Sequence, residues 1–148
     1  MEHHFEILDI YGDAGIRAFG RDLSELFANA GLGMLSLITD LEAIQEKKQL
    51  VISAQGSSLE GLLVSFLNEL VFHFDTYGFI GKSISIEGLQ AGTPDEGGKS
   101  YRLDASLTGE EFDPDRHKRG LLIKAATYHK LAIEKKDGHW EAGIIFDI

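Results

Sequence analysis

The chain has no cysteine, which removes disulfides, thiolate zinc sites, iron–sulfur clusters and cysteine nucleophiles together. Any metal must be held by oxygen or imidazole. Proline is nearly absent too, with two residues in 148, and no stretch reads as a linker, a repeat or a low-complexity tail. No apolar run approaches the roughly 20 residues of a membrane span. The opening MEHHFEILDI lacks the basic n-region and apolar core of a secretory signal, so a cytoplasmic location without membrane contact is expected. Positive charge is scarce: 14 Lys and Arg stand against 24 Asp and Glu, a net charge of -10. Such a surface repels a phosphate backbone at long range and makes free RNA or DNA a poor direct ligand. The local exception is Arg116-His117-Lys118-Arg119, with Lys124 beyond it. It reads either as a solvated loop or as a contact for an anion or a partner. No H-E-x-x-H, P-loop or G-x-S-x-G pattern occurs.

What is present suits an ordinary globular chain. With 43% hydrophobic residues, 148 residues make about one domain, 1–148, with one core. HFEILDIYG reads as a strand apolar on both sides and IRAFG as a shorter second one, joined by a loop that holds Asp13. Leu23, Leu26, Phe27, Ala30, Met34 and Ile38 recur at helical spacing behind Asp22 as N-cap, with Glu25 completing a capping box. Gly31 and Gly33 weaken that helix, which predicts another element packed close against it. After the strand KKQLVISAQG, a second helix carries Leu59, Leu62, Leu63, Phe66, Leu67, Leu70 and Phe74, with Ser57 and Glu60 as its capping pair and an end near Gly78. Asn68, Glu69 and His73 lie beside that stripe and are given no chemistry.

Beyond residue 81 the period changes to two. SISIEGL and YRLDASL read as strands flanking the loop QAGTPDEGGKS; after the loop TGEEFDPDRHKRG comes LLIKAATYHKLAIEK, which pairs through the Asp-Gly turn KDGH with WEAGIIFDI. The predicted fold is α+β, a mostly antiparallel sheet with two main helices packed on it. A two-residue turn at Asp137-Gly138 puts Lys136 opposite His139 and predicts the whole ladder. Trp140, Ala142, Ile144 and Phe146 then share an inner face with Ile133, Leu131, His129 and Thr127, making His129 an inner histidine. The other face carries Lys124, Tyr128, Lys130, Ile145 and Asp147, with Asp147 opposite Tyr128. Lys124 lies four residues from Tyr128, about 13 Å along the strand, so the ladder alone does not bring it against Asp147.

Asp147 is followed by Ile148, whose α-carboxylate is charged at neutral pH. Hard divalent cations favour clustered oxygen ligands, and the glycine-flanked loop can bend to offer Asp13 to the same ion. The bland reading is a turn-forming Asp13 and a solvated Asp147.

Taken together, FEILDIYGDAGIRAFG, LLVSFLNEL, IKAATYH and the closing IIFDI resemble archease, the protein cofactor of RtcB-type RNA ligases, over nearly the whole chain. The resemblance implies a small α+β activator that is not itself an enzyme. It promotes guanylylation of the ligase with GTP and multiple turnover in tRNA splicing, and meets RNA only through the ligase. It implies a divalent-metal site, described with calcium, at Asp13, Asp147 and the terminal Ile148, a functional lysine at Lys124, and a loop histidine at His117. The family's His-Thr-Ala-Asp at the first loop is replaced here by Ile10-Tyr11-Gly12-Asp13. The carboxylate is kept and the histidine is not. Two other readings compete: a metal-assisted phosphohydrolase using the same carboxylates with Lys124, and a general chaperone or adaptor in which they only cap turns.

Overall fold

The computed structural model describes residues 4–10, 12–91 and 101–148; the side chains of residues 9, 10 and 91 lie outside that description. The chain runs β1 (Phe5–Ile10), β2 (Asp13–Gly20), α1 (Leu23–Ile38), a 3-10 turn (Leu41–Ala43), β3 (Lys48–Gly56), α2 (Leu59–Tyr77), β4 (Phe79–Ala91), β5 (Tyr101–Glu111), β6 (Ala125–Ala126), β7 (Ala132–Lys136) and β8 (His139–Asp147). Two antiparallel sheets result. One is ordered β1-β2-β8-β6, with β7 also on β8; the other is β3-β5-β4. Each helix touches strands of both sheets, α1 on β2 and β4, α2 on β3 and β6, so the helical stripes bury against two sheet faces at once. The α+β class, with two main helices packed on antiparallel strands, is as the sequence predicts; the strands divide between two sheets where one was expected.

The helix ends follow from the caps. Asp22 accepts the Glu25 N–H at 2.8 Å, but Glu25 reaches back to the Arg21 N–H (2.8 Å) and guanidinium (3.0 Å), one residue earlier than a strict capping box. α2 is capped by Ser58, which accepts the Gly61 N–H at 2.9 Å, and not by Ser57. Its end is at Gly78, in the left-handed region with φ 70°. The glycines of α1 are contact points: a Cβ at Gly31 would meet Ile84 Cδ1 at 2.7 Å, and one at Gly33 would meet Ile16 Cδ1 at 2.8 Å. Leu62, Leu63, Phe66 and Leu67 of the α2 stripe are fully buried.

Two strand readings are corrected. Asp13 is not in a loop; it is the first residue of β2 and pairs with Ile10 across a two-residue connection. LLIKAATYHKLAIEK is not one strand. The ladder runs as predicted from Lys136↔His139 to Ala132↔Gly143, then breaks, and Phe146 faces Ala126 where an unbroken ladder would put His129. Residues 127–131 form the excursion responsible. Leu131 N–H donates to the Tyr128 carbonyl at 3.1 Å, Lys130 takes φ 54°, and Thr127 Oγ1 donates to the Ile145 carbonyl at 2.8 Å. An odd shift of three residues exchanges which side chain faces inward at the Phe146 position. His129 is therefore exposed, and the buried Ala126 takes its inward place. Ile145, predicted on the polar face, is buried as well. The predicted hairpin tip QAGTPDEGGKS falls mostly on residues 92–100, outside the described residues.

Candidate functional site

The same three-residue shift builds the site. Asp147 faces Ala125, not Tyr128, and its carbonyl accepts the Lys124 N–H at 2.7 Å. The excursion thus removes the separation that an unbroken ladder would impose. On the other side of β8 the ladder with β2 ends at Ala14↔Phe146, one residue short of Asp13 and Asp147. Asp147 is the middle of three adjacent chain segments, with Asp13 on one flank and Lys124 on the other. All three residues are exposed. No ion pair or side-chain hydrogen bond among the described residues engages any of them.

Backbone chemistry explains how these segments come so close. Gly12, at φ 84°, supplies the left-handed turn just before Asp13. Gly15 lets β2 close on β8: a Cβ there would meet the Ile144 carbonyl oxygen at 2.8 Å and Ile145 Cδ1 at 2.9 Å. Sequence reasoning missed Asn68. Its Oδ1 accepts the Ala126 N–H at 2.8 Å and ties α2 to the two-residue β6 beside Lys124. A lone amide flanked by Leu67, Leu70 and Val71 was the available signal, because a polar group against an apolar helix face needs a partner.

The segment leading to Lys124 is pinned from below. Gly120 and Leu121 N–H groups donate to the carbonyls of Ile38 and Leu37, both at 2.7 Å, and Thr39 Oγ1 donates to the Lys118 carbonyl at 2.6 Å. The first two satisfy carbonyls that the end of α1 would otherwise leave open. His117 lies beneath the loop, 3% exposed. Its Nδ1 accepts the Asp113 N–H at 2.8 Å, which leaves the ring proton on Nε2 to donate to Glu110 at 3.0 Å. Glu110, also 3% exposed, further accepts Arg116 at 2.6 Å and the Gln45 N–H at 2.7 Å, with Lys47 at 3.7 Å. The Arg116 guanidinium, backed by the Gln45 N–H and His117, outweighs burial and holds the Glu110 carboxyl down at about 2. The predicted basic cluster is thereby dispersed. Arg116 is spent on Glu110, His117 is buried, and Arg119 lies 5.3 Å over the Phe112 ring.

Asp13 and Asp147 lie one residue beyond the Ala14↔Phe146 pair on neighbouring strands, and carboxylates brought close together repel unless a cation lies between them. Asp13 and Asp147 supply oxygen donors only, which suits a hard divalent ion. Among the described residues no group of three or more His, Asp or Glu side chains gathers for a metal, so a third protein donor must come from elsewhere, such as the Ile148 carboxylate named by the resemblance. Tyr11 lies outside the described residues, and Ile10 is described only by its backbone pairing with Asp13.

Comparison with known proteins assigns the family. The model of the Archease protein family matches residues 5–148. The chain belongs to the archease family. Archeases similar to it include that of Pyrococcus furiosus, 35% identical with 99% of this chain and 97% of that one covered, and that of Sulfurisphaera tokodaii, 31% identical with 97% and 98% covered. The solution structure of Methanobacterium thermoautotrophicum protein 1598 superposes with a TM-score of 0.77 at 30% identity, covering 98% of this chain and 99% of that one. A Thermotoga maritima archease, described as a possible chaperone, shares the fold at a TM-score of 0.59 and 17% identity, with each chain fully covered. Among the described residues no helix is long and apolar enough to cross a membrane.

Proposed function

We propose that this archease-family chain is a metal-dependent protein activator of an RtcB-type RNA ligase, acting in the cytoplasm to promote GTP-dependent guanylylation and multiple turnover in tRNA splicing. The observation that carries the reading is Asp147 set between Asp13 and Lys124. Asp13, Asp147 and the Ile148 carboxylate are the residues that would hold the ion, calcium by the family resemblance. When bound, the ion supplies charge neutralisation and a coordination position for a phosphate oxygen.

Lys124 adds a fixed positive charge at the same edge, suited to an anionic group of the ligase–guanylate centre. His117 acts by holding the 112–120 loop through Glu110, so its contribution is positional. RNA is met only through the ligase, consistent with the net charge of -10. The surroundings suit a macromolecule better than a small substrate: Leu121, Leu122, Tyr128 and Ile148, on the segments flanking Lys124 and Asp147, are 40%, 63%, 64% and 43% exposed. That ridge favours an activator over a phosphohydrolase.

The test is reconstitution with the cognate ligase, GTP and divalent metal. The expected outcome is a large gain in ligase guanylylation, lost with Asp13→Ala or Lys124→Ala while the far-UV circular dichroism spectrum is unchanged. No gain with the wild-type chain sinks the reading. Phosphoester turnover by the chain alone, lost with Asp13→Ala, would establish the phosphohydrolase instead. Chelator-insensitive protection of unrelated clients from aggregation would establish the general chaperone.

A further inference from the structure

Strand edges expose unpaired N–H and C=O groups, and folded proteins blunt them with charges, bulges, short strands or covering loops. Three edges here are treated in that way. β1 is six residues long and carries Glu6. β4 has register irregularities at Gly81/Ser83 and Ile86/Gly88 and is crossed by the segment after α1: Lys82 donates to the Leu41 and Glu42 carbonyls at 3.3 and 3.2 Å, and Ser83 to Glu46 at 2.7 Å. The edge beyond β8 is split into strands of two and five residues.

β3 carries a charge only at its first residue, Lys48, and none of the other devices. It is nine residues long and keeps an unbroken register with β5. Its middle, Gln49 to Gln55, is seven uncharged residues without proline. Among the described residues no strand pairs with its outer side. Val51 is 66% exposed on the wet face, and Tyr77 of α2, 63% exposed, lines with Leu50 and Phe79 a concavity of about 420 Å³ at the start of the strand. A segment of this composition on an open edge is a template for another strand.

We propose that β3 is the seat of a two-fold homodimer, in which the β3 strands of two copies pair antiparallel and join their three-stranded sheets into one of six. A second copy is the occupant because the segment complements itself. With the two-fold axis at Ile52, Gln49 faces Gln55, Leu50 faces Ala54, Val51 faces Ser53 and Ile52 faces its own counterpart. The inner row of Leu50, Ile52 and Ala54 then continues as an inner row, the outer row continues as an outer row, and no charge meets a like charge. The contact is isologous and closes at two copies. Each copy carries a net charge of -10, so added salt screens the long-range repulsion and strengthens the dimer, the reverse of an ionic contact.

Sedimentation equilibrium of the full chain over a concentration series, at low and high salt, tests this directly. The expected result is a reversible dimer that tightens with salt. Val51→Lys and Val51→Glu should each weaken it roughly tenfold or more, because either charge is a strand-edge gatekeeper; circular dichroism checks that the fold is kept. The absence of native cysteine allows a clean second readout. Chains carrying Val51→Cys and chains carrying Ser53→Cys, mixed and oxidised, should cross-link to each other in preference to themselves. A chain that is monomeric throughout the series overturns the proposal. So does a dimer indifferent to both Val51 substitutions, cross-linking without preference for the mixed pair, or a monomer that instead captures an unrelated extended peptide along β3.

Discussion

Asp13 and Glu110 are both acids directly behind a glycine, yet they occupy opposite environments. Glu110 is buried and satisfied by Arg116, His117, the Gln45 N–H and Lys47. Asp13 is exposed, lies on the strand next to that of Asp147, and has no ion pair or side-chain hydrogen bond among the described residues. The glycines differ to match. A Cβ at Gly109 would run into the Ile80 carbonyl, so that glycine permits close packing, whereas Gly12 has open space around it and is needed for its φ of 84°. The contrast separates two uses of a carboxylate: one whose charge is consumed in holding a loop, and one whose charge is left for something outside the chain.

The sharpest way to break that contrast is to remove Glu110. Glu110→Ala leaves the buried His117 Nε2 proton without an acceptor and the Arg116 guanidinium without its closest partner, so thermal denaturation should show the largest loss of stability in this set, while Asp13 and Asp147 keep their places. Acid titration extends the test. The folded Glu110 carboxyl lies at about 2 against an ordinary value of 4.5, so between those values the unfolded chain holds the extra proton. Its stabilisation is therefore complete above about pH 4.5 and is lost as pH falls through about 2. Glu110→Gln should flatten that part of the stability curve; an unchanged acid limb would mean that other carboxylates set it.

Intermediate effects are expected where the backbone holds the site together. Gly15→Ala drives a methyl group against the Ile144 carbonyl and should cost about 1–3 kcal/mol by denaturant titration, with metal affinity falling as Asp13 moves off Asp147. Asn68→Ala leaves the Ala126 N–H unsatisfied in a part-buried position, at about 1–3 kcal/mol, and should lower ligase activation through Lys124. The smallest stability effect belongs to Asp13→Asn, within about 0.5 kcal/mol of wild type. Calcium binding by calorimetry should nevertheless be lost. A variant of Asp13 that destabilises as much as one of Glu110 would erase the distinction between them.

Much of the architecture was legible because local signals were strong. The stripes of α1 and α2, the Gly78 stop and the Asp137-Gly138 turn each determine an element from residues close in sequence. The predicted close approach at Gly31 and Gly33 is met by Ile84 and Ile16, though the sequence could not name those neighbours. The first failure was the ladder beyond Ala132. Nothing in TYHKL announces a break, because the residue in the left-handed region is Lys130 rather than a glycine, and alternation continues on either side. His129 was misplaced for that reason. Asn68 was passed over because its partner is a backbone N–H 58 residues away.

Composition alone excluded thiol chemistry and made direct nucleic-acid binding unfavourable, since those conclusions need only counts of atoms and charges. Local pattern determined the helices, most strands and the class of fold, because hydrophobic period and caps act over a few residues. Which groups meet was decided by tertiary structure. Asp13, Lys124 and Asp147 are brought to one edge only because β2 and β6 dock on opposite sides of β8, and because the excursion at residues 127–131, held by Asn68 and the Thr127 turn, shifts one register by three residues. The same holds for the buried fate of His117, whose neighbours read as a charged loop until Glu110 takes both Arg116 and His117 as hydrogen-bond partners.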